Sequence, residues 1–102
     1  MLTLIEQHRQ RIADLCSQYG VKRLEVFGSA ARADFDPTRS DVDFFYEFDS
    51  TDDSALADRF FGLKADLEKL LDRRVDLVSA PDVTNPYFLL VANRNRQTLY
   101  AA

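Results

Sequence analysis

The chain has 102 residues, a formal net charge of −4, one cysteine and three glycines. That length fits one domain, and a composition 46% apolar and 29% charged is that of a folded chain rather than a disordered one. A lone cysteine excludes an internal disulfide, no apolar run reaches the length of a membrane span, and no basic stripe marks a nucleic-acid binder.

Residues 3–19 read as a helix. Thr3-x-x-Glu6 forms a capping box, and Ile5, Ile12, Leu15 and Tyr19 recur at helical spacing. His8 falls on that apolar stripe as a packed histidine, and Cys16 beside it as an inert buried thiol. Gly20 suits the left-handed position past the helix end. Residues 23–27 alternate as a strand with Leu24 and Val26 on one face, and 28–34 read as a short helix that stops before Pro37. Residues 42–48 form a second strand. The clearest helix covers 55–71, with Leu56, Phe60, Leu63, Leu67 and Leu70 three or four apart and Phe61 near the core. Residues 74–78 make a third strand. Asn85-Pro86 opens a last helix to about Arg94, and "QTLYAA" closes as a short edge strand. The pattern predicts a single α+β domain over 1–102: a small mixed β-sheet with helices mainly on one face. The N-terminus carries no basic region followed by an apolar one, so a cytoplasmic protein is expected.

Charge is distributed unevenly. Residues 34–53 hold eight acids against one base, Arg39. Asp49, Asp52 and Asp53 read as a solvated loop, but Asp41 and Asp43 lie in a strand pattern. Side chains alternate along strands, so Val42, Phe44, Tyr46 and Phe48 share one face and Asp41, Asp43 and Phe45 the other. In the third strand Val75 and Leu77 oppose Asp76. If these strands are neighbours and the long helices cover the apolar face, the three acids emerge together. At about 5 Å and an effective dielectric near 20, each pair of carboxylates costs roughly 3 kcal/mol. Such a cluster needs a trapped proton or a bound cation. Oxygen-only ligands select a hard ion, Mg²⁺ with Mn²⁺ as a substitute, whose remaining ligands come from water and substrate phosphates.

Gly28-Ser29 ends a strand and opens a short helix. Such a helix start offers free N–H groups to an anion, Gly28 permits close approach, and the Ser29 hydroxyl adds a donor.

Gly28-Ser29, Ser40-Asp41-Val42-Asp43 and Asp76 in "RRVDLVS" resemble the DNA polymerase β nucleotidyltransferase superfamily. The whole chain, through "GSAAR" and "NPYF…TLYAA", resembles the minimal nucleotidyltransferase (MNT) antitoxins that pair with HEPN-domain toxins, with Ala33 where a Gly commonly follows the Arg. The resemblance implies a polymerase β-like core. It implies that Asp41, Asp43 and Asp76 hold the metal and act in catalysis, Asp76 easing deprotonation of the attacking hydroxyl. Gly28 and Ser29 would bind the β- and γ-phosphates, and Arg32 would add a phosphate contact. It further implies ATP as co-substrate with Mg²⁺, AMP transfer to a tyrosine of a HEPN-type toxin, and hetero-oligomer formation with that toxin. A non-catalytic antitoxin acting by occupancy and a small-molecule adenylyltransferase are the alternatives. Neither a membrane nor direct nucleic-acid binding is expected.

Overall fold

The computed structural model describes residues 3–28, 41–49 and 55–102. Its elements are α1 (Thr3–Gln7), α2 (Arg9–Tyr19), β1 (Val21–Phe27), β2 (Val42–Phe48), α3 (Leu56–Leu71), β3 (Val75–Ser79), a 3-10 turn (Ala80–Asp82), α4 (Pro86–Asn93) and β4 (Gln97–Ala101). The strands form one mixed sheet in the order β3-β2-β1-β4. β1 runs antiparallel to β2 and β4, whereas β2 and β3 are parallel. Parallel neighbours need a crossover connection, and α3 supplies it. The fold is α+β.

The expected first helix is two. His8 leaves helical geometry at φ −109° and ψ 10°, so it separates α1 from α2 and interrupts the continuous helix expected there. Ile5 before it and Ile12 after it are both fully buried. The Thr3 cap lies outside the described side chains. Gly20 closes α2 in left-handed geometry, φ 69°, with its N–H donating to the carbonyls of Cys16 and Ser17. Asn85 caps α4 as expected, its side-chain oxygen accepting from the N–H groups of Tyr87 and Phe88 at 2.9 and 3.2 Å. The short helix predicted over 28–34 lies outside the described residues apart from Gly28.

One face of the sheet carries the main core. Leu24, Val26, Val42, Phe44 and Val75 meet Ile12 and Cys16 of α2 and Leu63, Leu67 and Leu71 of α3. Each fully buried leucine contributes roughly 1.5–3 kcal/mol as an upper bound. The α3 stripe is rotated slightly from the expected one. Leu71 replaces Leu70 at the centre, and Phe61 is 65% exposed rather than near the core. Leu63, Leu67 and Leu71 recur every four residues, which places Phe61 off the sheet-facing line. Cys16 is free and buried, and burial pushes its thiol up to about 12, so it is inert.

The opposite face holds a smaller cluster. Phe27 and Phe45 stack with centroids 4.1 Å apart, and Phe88 of α4 meets both edge-on. Arg96 lies over the Phe45 ring at 4.3 Å and donates to Glu25 at 2.6 Å. Glu25 is buried, and pairing with Arg96 makes that tolerable. At the far end of the sheet, Arg59 of α3 donates to the carbonyls of Tyr19 and Gly20, pairs with Asp49 at 3.3 Å and stacks on Phe48. Asp49 is therefore exposed but not merely solvated. No helix of the described residues is long and apolar enough to cross a membrane.

Candidate active site

Asp43 is the second residue of β2, and Asp76 is the second residue of β3. The parallel register pairs them directly, Asp43 with Asp76, between the pairs Val42–Val75 and Phe44–Leu77. Paired residues on neighbouring strands point to the same face. Val42, Phe44 and Val75 are buried in the main core, so the two acids stand on the other face. Asp76 is exposed and Asp43 half-buried. Asp41 immediately precedes β2.

The Asp43 carboxyl is raised from an ordinary 3.8 to about 6. Burial is the largest cause, followed by the charge of Asp76, a hydrogen bond shared with Asp76, and the charge of Asp41. The surroundings therefore favour the neutral form of the Asp43 carboxyl more than water would. Among the described residues no three carboxylate, thiolate or imidazole groups are gathered into a preformed metal cage. The intimate contact is a pair, and Asp41 acts on it through space. This donor set suits a hard divalent cation: it is all oxygen, and its crowded carboxylates repel one another unless positive charge is placed among them.

Gly28 immediately follows β1, the strand that lies beside β2. Its φ is 70°, and a Cβ built there would come within 2.7 Å of Asp43 Oδ2. The backbone at Gly28 therefore rests against the acid, which only a residue without a side chain allows. Ser29 and Arg32, the other expected phosphate contacts, lie outside the described residues, as do Arg39 and Ser40.

A cleft of about 450 Å³ adjoins the acids. Phe27, Asp43, Asp76, Val78 and Phe88 line one side. Phe60, Lys64 and Leu77 line the other. Sequence reasoning placed Phe45 on the acid face but missed Phe27, Phe88 and Lys64. The signal for Phe27 lies in the alternation itself, since Leu24 and Val26 on one face leave Phe27 on the other. No pattern within α3 could show which strand edge Lys64 overlooks.

The raised carboxyl carries a pH prediction. Asp43 holds its proton more tightly folded than unfolded. Its contribution to stability is complete below the ordinary value near 3.8 and is lost as the pH rises through about 6. Melting curves in chelator between about pH 4 and pH 7 should show wild type losing stability relative to Asp43→Asn as the pH rises. Parallel pH profiles for the two proteins would contradict the raised Asp43 carboxyl.

The family model "Nucleotidyltransferase domain" matches residues 7–99. A provisionally named protein adenylyltransferase of Methanocaldococcus jannaschii is 32% identical over 84 residues, covering 82% of this chain and 79% of its own. Among solved structures, a provisionally assigned minimal nucleotidyltransferase aligns with a TM-score of 0.67 and 30% identity, over 93% of this chain and 94% of that one. The complex of a tri-AMPylated Shewanella oneidensis HEPN toxin with MNT antitoxin aligns with a TM-score of 0.64 and 18% identity, over 95% and 72% of the two chains. At that identity the last likeness concerns the fold.

Proposed function

Because the chain belongs to the nucleotidyltransferase domain family, we propose that it is a single minimal nucleotidyltransferase domain that moves AMP from ATP to a hydroxyl of a partner protein. The partner is a HEPN-type toxin, the acceptor is a tyrosine, and the transfer silences the toxin in the cytoplasm. The observation that carries the reading is the in-register pair Asp43–Asp76 with the Gly28 backbone set against it. The similar proteins support the acceptor class, since one is provisionally named a protein adenylyltransferase and another is an MNT antitoxin in complex with an AMPylated toxin.

Asp41, Asp43 and Asp76 would hold Mg²⁺. When bound, the ion neutralises phosphate charge and stabilises the attacking and leaving oxygens of an in-line displacement. The chain's own groups do the rest. The Gly28 backbone, with Ser29 and Arg32, binds the β- and γ-phosphates. Asp76, exposed at the cleft, accepts the proton of the acceptor hydroxyl, whose unperturbed pKa is about 10 for tyrosine. The hydroxyl oxygen bonds to the α-phosphorus, the bond to the bridging oxygen breaks, and pyrophosphate leaves.

Occupancy and covalent silencing differ in stoichiometry. Sub-stoichiometric protein with ATP and Mg²⁺ should silence the toxin and add AMP-sized increments to its intact mass. The double variant Asp41→Asn, Asp43→Asn should bind the toxin yet leave it active. A double variant that neutralises the toxin as well as wild type would refute the enzymatic route.

A further inference from the structure

Building on the reading that the acceptor is a protein side chain, we propose that β3 is the docking strand. The acceptor segment adds to its open edge as an extended strand and sets its hydroxyl residue opposite Asp76. β3 ends the sheet, and no strand among the described residues pairs with its outer side. The Val42 N–H donates to the Arg74 carbonyl at 3.0 Å. Arg74, Asp76 and Val78 therefore turn their backbone groups toward β2, and by alternation Val75, Leu77 and Ser79 turn theirs outward. The outward N–H of Val75 is taken by the Glu68 carboxylate at 3.1 Å. Leu77 and Ser79 remain as the donors that face away from the sheet.

Exposed edges are normally blunted by proline, bulges or inward charges. Beyond the Glu68 cap at Val75, the five-residue β3 has no proline and no register shift against β2, and the one charge within it is the site acid Asp76. The cleft adjoins this edge: it takes in Asp76, Leu77 and Val78 of β3, Phe60 and Lys64 of α3 and Phe88 of α4, and reaches inward to Asp43 and Phe27. In strand addition, main-chain bonds supply affinity and alternate side chains supply specificity. A residue opposite Asp76 falls on the acid side, and its two neighbours fall on the Lys64 side. Lys64 is about one-third exposed and its pairing with Glu68 is long, 3.7 Å, so an acidic flank in the occupant would share it with Glu68. A helix would offer the edge no main-chain partners. The occupant is thus an extended segment with a hydroxyl residue between acidic neighbours.

The test uses the full chain and short synthetic peptides centred on Glu-Tyr-Glu or Lys-Tyr-Lys. Amide hydrogen exchange without nucleotide should slow at Leu77 and Ser79. The Glu-Tyr-Glu peptide should bind about fivefold more tightly at low salt, and Lys64→Gln should erase that preference. N-methylation of one alternate set of peptide amides should abolish protection, while the other set should be harmless. AMP transfer from Mg²⁺-ATP should follow the same ranking. Protection without transfer supports the docking strand and counts against the adenylyl-transfer reading. Absent protection with both peptides, or protection indifferent to N-methylation, overturns the docking strand. Equal affinity for the two peptides overturns the acidic flank.

Discussion

Asp43→Asn should lower AMP transfer by on the order of a hundred- to a thousand-fold, as removal of a group that stabilises transition-state charge does elsewhere. The metal-free protein should at the same time melt no lower than wild type at neutral pH. Both effects come from the same geometry. Asp43 is the more enclosed of the paired acids, and burial together with Asp76 and Asp41 disfavours its charge. An amide occupies the same volume, can hydrogen-bond to Asp76, and needs no proton to do so. It carries no charge with which to hold Mg²⁺. Transfer is read by incorporation of label from ATP, and stability by thermal melts with chelator and with Mg²⁺. Transfer at the wild-type rate would remove Asp43 from the site.

Gly28→Ala should be damaging although it adds one methyl group. A side chain at φ 70° costs about 1–2 kcal/mol. For a domain of this size each kcal/mol lowers Tm by roughly 4–8 °C. The new Cβ would sit 2.7 Å from Asp43 Oδ2, far inside contact distance. The carboxylate can swing aside, but only by leaving its position beside Asp76. A displacement of about 1 Å can cost on the order of a hundredfold in rate. The combined signature is a lower Tm and a larger proportional loss of transfer. Unchanged transfer with a lowered Tm would make Gly28 a backbone requirement only.

Much of this arrangement was legible in the residues. Alternation along 42–48 separated Val42 and Phe44 from Asp43, and alternation along 75–77 separated Asp76 from its neighbours. Apolar burial is strong enough to decide which face turns inward, so those readings held. Adjacency of the two strands was an assumption, because pairing depends on contacts distant in sequence, and the observed register Asp43–Asp76 supplies it. What failed was of a different kind. The break at His8 involves a small backbone change that leaves the spacing of Ile5 and Ile12 intact, so periodicity does not register it. Phe61 and Leu70 lie beside the true α3 stripe, and a rotation of one position along a leucine-rich helix leaves the count of apolar residues unchanged. The clasp of Arg59 joins the end of α2 to the end of β2, a meeting that no local pattern contains. Ser29 is read from its place after the Gly28 turn as well as from the family pattern, Arg32 from the family pattern.

The edge strand β4 bears on the order in which the molecule is built. β4 pairs with β1, so Leu24 lies opposite Tyr100. Closing a loop of that length costs conformational entropy before any contact rewards it, and long-range pairing slows folding. The unit of β2, α3 and β3 closes over a much shorter span and carries Asp43 and Asp76. The acid pair is therefore expected to organise early, and the β1–β4 edge to lock late. In pulse-labelled exchange during refolding, amides of β2 and β3 should gain protection before those of β4.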